Sequence, residues 1–227
     1  DCARELLAHG DTVNRLTTTG MERTLLNKAV ASGDRDVLAF VLDQGGDANL
    51  SDTRGRTALH VAVDGDDGEL LRVLLEHGAD PNALNEAGWS PFLLAAQRGK
   101  TGLLAVMMEH GGDLDSRSPA GETVLHLVAA GGHPKAVDML IGAGADVSAR
   151  DHDQRTPVHR AAGAGHGETS LRLLEGGAPL EARDNAACTP LLLAVIGGHQ
   201  QTSGSLMERG AAKDAVAHRS RNALFLA

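Results

Sequence analysis

The 227-residue chain is 42% hydrophobic but only 2% aromatic, with three Phe, one Trp and no Tyr. A thick closed core draws on several aromatics because each buries so much area, so a chain built on Leu, Ala, Val and Gly suits thin layers packed in series. Its net charge of −9 argues against nucleic acid as main partner, since phosphate binding needs a basic surface, and it holds no apolar run long enough to span a membrane.

Read in chain order, the polar opening DCARELLAHG is no signal peptide and does not begin with Met. Residues 2–9 read as the second helix of a leading, cut repeat. A short phrase then recurs: TLLNKAV from Thr24, TALHVAV from Thr57, SPFLLAA from Ser90, TVLHLVA from Thr123, TPVHRAA from Thr156, TPLLLAV from Thr189 and NALFLA from Asn222. Successive starts differ by 33 every time. Gly10 to Thr24 is 14 residues where later Gly-to-Thr intervals are 12, which predicts two extra residues in the first loop.

Each unit has the same internal logic. Counting from the phrase's first residue as zero, that Thr caps a helix by accepting from a free N–H of the first turn. Ala follows at +5 or +6, at Ala29, Ala62, Ala95, Ala129, Ala161 and Ala194. Gly at +9 (Gly33, Gly99, Gly132, Gly165, Gly198) breaks the first helix. A second helix carries an apolar pair at +17 and +18, such as Leu74 and Leu75, and Gly at +21 ends it. Polar turn residues follow. Two short helices cannot bury their apolar face alone, so the units must stack.

This pattern resembles the ankyrin repeat family, with its 33-residue period and T-P-L-H-x-A signature. The unit from Thr57 to Asn82 carries the resemblance best. It implies an all-α solenoid of helix-turn-helix units joined by β-hairpin-like loops. The expected organisation is a single domain, 1–227: a partial repeat 1–18, full repeats starting near 19, 52, 85, 118, 151 and 184, and a truncated start at 217–227. Interrupted repeats at both ends suggest a fragment or part of a longer array. Thr169, Ser170 and Arg172 in the fifth repeat, and Thr202, Ser203, Gly204 and Ser205 in the sixth, replace apolar residues and predict weaker, more mobile second helices.

The chemical-looking motifs dissolve into repeat phases. All eleven histidines fall into four phases, and those at +3 (His60, His126, His159) and +10 (His133, His166, His199) read as hydrogen-bonding links. Gly99, Lys100 and Thr101 lack the earlier Gly of a phosphate-binding loop, because position 94 is Leu. Asp47, Asp80, Asp113 and Asp146 share one turn phase. No cofactor, metal site or catalytic residue is expected. Cys2 and Cys188 imply no disulfide framework, which fits an intracellular compartment, cytoplasm or nucleus. The resemblance further implies that loop asparagines Asn49 and Asn82 are substrates for hydroxylation, beside the plainer role of holding a turn.

Function must be argued from surface positions that the repeat leaves free. By resemblance, the loop tips (−4, −3, −1) and the first-helix face (+7, +8) form a concave groove. The residues there are Arg23, Arg54, Arg56, Asp64, Trp89, Gln97, Arg98, Glu122, His152 and Arg155. Trp and Arg are favoured binding anchors, and the arginines suit an acidic peptide, although Asp64, Asp66 and Asp67 make the groove mixed. The expected function is a protein-interaction module, an adaptor or scaffold segment that binds a peptide or folded protein as a monomer. The alternative is a regulatory or substrate-recruiting segment of a larger enzyme or channel.

Overall fold

A computed structural model of the chain describes Asn14, Leu16–Thr17 and residues 23–213. The leading half-repeat, Cys2, His9, Asp214, His218 and the start at Asn222 lie outside the described residues. Twelve helices fall within them: α1 Leu25–Ser32, α2 Arg35–Asp43, α3 Ala58–Gly65, α4 Gly68–Glu76, α5 Pro91–Gln97, α6 Thr101–Glu109, α7 Val124–Ala130, α8 Pro134–Gly142, α9 Pro157–Gly163, α10 Gly167–Glu175, α11 Pro190–Ile196 and α12 Gln200–Glu208. Two short strands, β1 (Leu16–Thr17) and β2 (Arg23–Thr24), pair antiparallel. The fold is all-α, as expected.

The helix starts confirm the capping role of the Thr phase, in two forms. The Thr24 hydroxyl accepts from Asn27 N–H at 3.0 Å and Ser90 from Leu93 N–H at 3.1 Å. Where +3 is His, the imidazole joins the cap. Nδ1 of His60, His126 and His159 accepts from the backbone N–H of Thr57, Thr123 and Thr156 at 3.1, 3.2 and 3.1 Å. The first two second helices start on Asp34 and Asp67, whose carboxylates accept from first-turn N–H groups. Gly78 ends α4 in the left-handed region at φ +80°, and the following Ala79 N–H donates to Leu74 C=O at 3.0 Å. At +9 the second repeat has Asp66, and it takes the same left-handed turn.

The two extra residues of the first loop are located. Later loops close over four residues, with the N–H of Asp52, Asn85, Ser118, Asp151 and Asp184 donating to the C=O of Arg56, Trp89, Glu122, Arg155 and Cys188. In the first loop Thr17 faces Arg23, six residues on.

Two compact units divide the chain: one runs to Ala95 and includes Gly102–Asp113, the other comprises Ala96–Thr101 and the chain from Leu114 onward. In the first, α1 packs on α2 and α3, and α4 on α2 and α3. In the second, α9 lies between α7 and α11, while α10 packs on α8 and α12. Within each unit, neighbouring repeats thus bury their apolar faces against one another. Small residues at +5 (Ala29, Ala62, Ala95, Ala161, Ala194) are buried. Of the expected apolar pair, the +17 residue is fully buried throughout, but +18 is buried only at Leu42 and Leu75 and half-exposed from Met108 onward. Helices α10 and α12 are as long as the other second helices. Their Thr169, Ser170, Thr202 and Ser203 are buried. Ser170, Ser203 and Thr202 donate to the C=O of His166, His199 and Gly165, each at 2.9 Å.

Candidate partner-binding edge

The loop tips are built on a residue five places before the Thr, a phase the sequence reading passed over. Asp52 Oδ1 accepts from Arg54 N–H and Arg56 N–H, both at 2.9 Å. Asn85 does the same for Ala87 and Trp89, Asp151 for Asp153 and Arg155, and Asp184 for Ala186 and Cys188. Ser118 Oγ accepts more weakly, at 3.3 Å, from Ala120 and Glu122. These are side-chain-closed turns. The recurrence of Asp, Asn, Ser, Asp, Asp at 33-residue spacing was the available signal.

In the first unit, Arg54 is exposed and Arg56 half-buried, and Arg56 pairs with Asp64. Trp89 is half-buried. Its backbone is committed: its N–H donates to Asn85, and its C=O accepts from His60 Nε2 at 3.0 Å and from Asn85 N–H at 2.9 Å. Arg23 is placed by its backbone in β2; its side chain lies outside the described residues.

In the second unit, Gln97 and Arg98 are exposed at the end of α5. Arg155 meets Asp184 at 3.2 Å and Asp153 at 3.6 Å. A residue not singled out from sequence, Arg160 on α9, meets Asp151 at 2.6 Å and Glu122 at 3.3 Å. The Asp151 carboxylate is fully buried: one oxygen closes the turn and the other takes Arg160. Glu122 also accepts from the Ser118 hydroxyl at 3.1 Å. His152 is exposed, and its ring occupies the space a Cβ on Gly121 would need. The arginines here are therefore members of a mixed charge network. Beside it lies a depression of about 390 Å³, lined by Gly163, Ala164, Leu193 and Ile196 together with Arg155 and Arg160. Ile196 is 47% exposed.

The histidine phases do what their positions suggest. Nε2–H of His60, His126 and His159 donates to the C=O of Trp89, Arg155 and Cys188 in the following repeat, at 3.0, 2.9 and 3.1 Å. With Nδ1 accepting, each ring is a neutral imidazole used at both nitrogens, and burial pushes its pKa down. The +10 rings of His133, His166 and His199 lie against Gly99, Gly132 and Gly165 of the preceding repeat. Gly99 is thus a turn, not a phosphate cradle. Asn49 and Asn82 also reach forward: each amide N–H donates to the C=O of Gly78 or Gly111 at 2.9 Å, and each Oδ1 accepts from Asp80 or Asp113 N–H. Burial raises the pKa of the free Cys188 thiol, which makes it a poor nucleophile. Among the described residues no three His, Cys, Asp or Glu side chains converge on a metal position, and no helix is long and apolar enough to cross a membrane.

Paired short helices, a turn-closed loop and hydrogen bonds handed from one repeat to the next define a helical repeat protein. The family model for ankyrin repeats (3 copies) matches residues 1–85 and 64–151, and the chain belongs to that family. Among solved structures it is similar to the ankyrin repeat domain of Bcl-3, described as a unique member of the IkappaB protein family, at 25% identity and a TM-score of 0.80. That match covers 92% of this chain and 95% of the other. No curated protein matches the chain. Ankyrin repeats are in general protein-interaction modules, and the fold is a non-catalytic one.

Proposed function

We propose that this chain is an adaptor or scaffold segment that holds a peptide or folded protein on its loop tips and first-helix faces. The observation that carries the reading is the depression beside Ile196, where an exposed aliphatic side chain borders an ordered network of Arg155, Arg160 and Glu122. An apolar floor with a charged rim is the composition of an interaction hot spot. In the first unit Arg54, Arg56, Asp64 and Trp89 supply the equivalent contacts. Arg23 belongs to the proposed contacts of the first unit, and Gln97, Arg98 and His152 to those of the second. An intracellular, monomeric module with no nucleic-acid partner and no cofactor belongs to the same reading. So does one domain over 1–227, supported by a 33-residue register that runs unbroken across the unit boundary. Asn49 and Asn82 are the proposed hydroxylation sites.

The test is capture from lysate with the parent chain, Ile196→Glu and Trp89→Ala as parallel baits, each checked for unchanged helical content. A partner held by the parent and lost by either variant supports the reading. A partner held equally by all three refutes it. If capture needs a longer parent chain, the second reading is favoured, a regulatory or recruiting segment of a larger enzyme or channel.

A further inference from the structure

Arg56, Arg155, Arg160, Arg172 and Arg209 each meet a carboxylate. Among the described residues Arg117 and Arg150 meet none. Each stands six residues before its repeat's capping Thr and is exposed. Arg117 Nη1 donates to the C=O of Gly121 at 2.7 Å and of Arg150 at 2.8 Å. Arg150 Nη1 repeats the arrangement one repeat later, donating to the C=O of Gln154 and of Arg183, both at 2.9 Å.

Backbone carbonyls hold these guanidiniums in place without neutralising them. Both Nη1 hydrogens are used, which orients the plane. The Nε–H and Nη2–H donors that remain make the side-on fork that takes a carboxylate in two parallel hydrogen bonds. The side chains are already ordered, so a ligand meets less of the usual entropic cost of fixing an arginine. Asp146, a carboxylate that feels the charge of Arg117, is itself engaged by the Ser148 N–H and hydroxyl at 2.8 and 2.7 Å.

Spacing narrows the ligand. Helices of stacked repeats lie roughly 8–10 Å apart, so two forks one repeat apart are separated by about that distance. A peptide in the extended polyproline II conformation advances about 3.1 Å per residue with three residues per turn, which brings side chains three residues apart onto one face and onto successive forks. We propose that Arg117 and Arg150 form a docking edge for an extended acidic peptide whose carboxylates recur every third residue. A polyanionic nucleic acid is disfavoured by the net charge of −9.

The probe is a fluorescein-labelled Ser/Gly peptide with two glutamates three residues apart, titrated by anisotropy at low and at physiological ionic strength. The expected result is saturable binding that weakens with salt. Arg117→Gln with Arg150→Gln should weaken it roughly tenfold or more. Arg117→Lys with Arg150→Lys, which keeps the charge and removes the fork, should fall between. Arg172→Gln with Arg209→Gln should leave it unchanged. Because the Gln variant also loses loop-tying bonds, a second peptide tests spacing on the unaltered protein: adjacent glutamates should bind several-fold more weakly. Absence of saturable binding to the parent, equal binding by the correctly folded Gln variant, or indifference to glutamate spacing would each overturn the proposal.

Discussion

Asn27 offers a direct measure of the histidine phase, because it is the first repeat's occupant of +3. Its Nδ2 donates to Arg56 C=O at 2.9 Å, reproducing what His60 Nε2 does for Trp89. Its Oδ1 is buried without a hydrogen-bond partner, whereas Nδ1 of His60 accepts from its own Thr. An unsatisfied buried acceptor costs about 1–3 kcal/mol. Asn27→His should therefore stabilise the protein by about 1–2 kcal/mol, since the larger ring takes back part of the gain through tighter packing. For a chain of this size that is about 2–8 °C in melting temperature. The assay is urea unfolding followed by circular dichroism, with amide exchange in α1 as local readout because repeat arrays need not unfold in one step. The gain should be present at pH 7.5 and shrink towards pH 5, since a protonated ring cannot accept from Thr24. The reverse change, His126→Asn, should cost about 1–3 kcal/mol. A folded Asn27→His protein that is no more stable at pH 7.5, with unchanged protection of α1, would refute the reasoning.

Acid should weaken the whole array. Burial lowers the pKa of His60, His126 and His159, so the folded state binds fewer protons than the unfolded chain, whose imidazoles titrate near 6.5. That stability is complete above about pH 7 and is lost as pH falls from there towards the depressed folded values. Urea midpoints that stay flat from pH 8 to pH 5 would contradict this. Ala187 has φ +58°, at the phase where Gly55, Gly88 and Gly121 stand in the second to fourth repeats, so Ala187→Gly should stabilise by about 0.5–1 kcal/mol. Gly99→Ala should destabilise by roughly 1–3 kcal/mol, because its Cβ would stand 2.0 Å from the His133 ring; equal denaturation midpoints for the pair would sink the argument. Amide exchange should be faster in α10 and α12 than in α4, whose Leu70, Leu71, Leu74 and Leu75 are all buried. Equal protection would mean that the satisfied hydroxyls of Ser170, Thr202 and Ser203 replace the lost apolar burial.

The repeat period, the helix pairs, the capping Thr and the left-handed Gly positions were legible in the sequence because each is a local demand made again every 33 residues. Backbone geometry at Gly78 or a cap at Thr57 needs only neighbours a few residues away. The linking role of His60 was legible for the same reason, by its phase. Much of the candidate site was not. That Arg56 and Arg155 sit in carboxylate networks, that Arg160 joins them, and that Arg117 and Arg150 keep open forks are outcomes of contacts spanning 8 to 33 residues. Residue type placed these charges on the loops. Only the stacking of one loop on the next decided which guanidinium met a carboxylate and which met a carbonyl, because that depends on side-chain reach across a repeat interface, which a linear pattern does not encode.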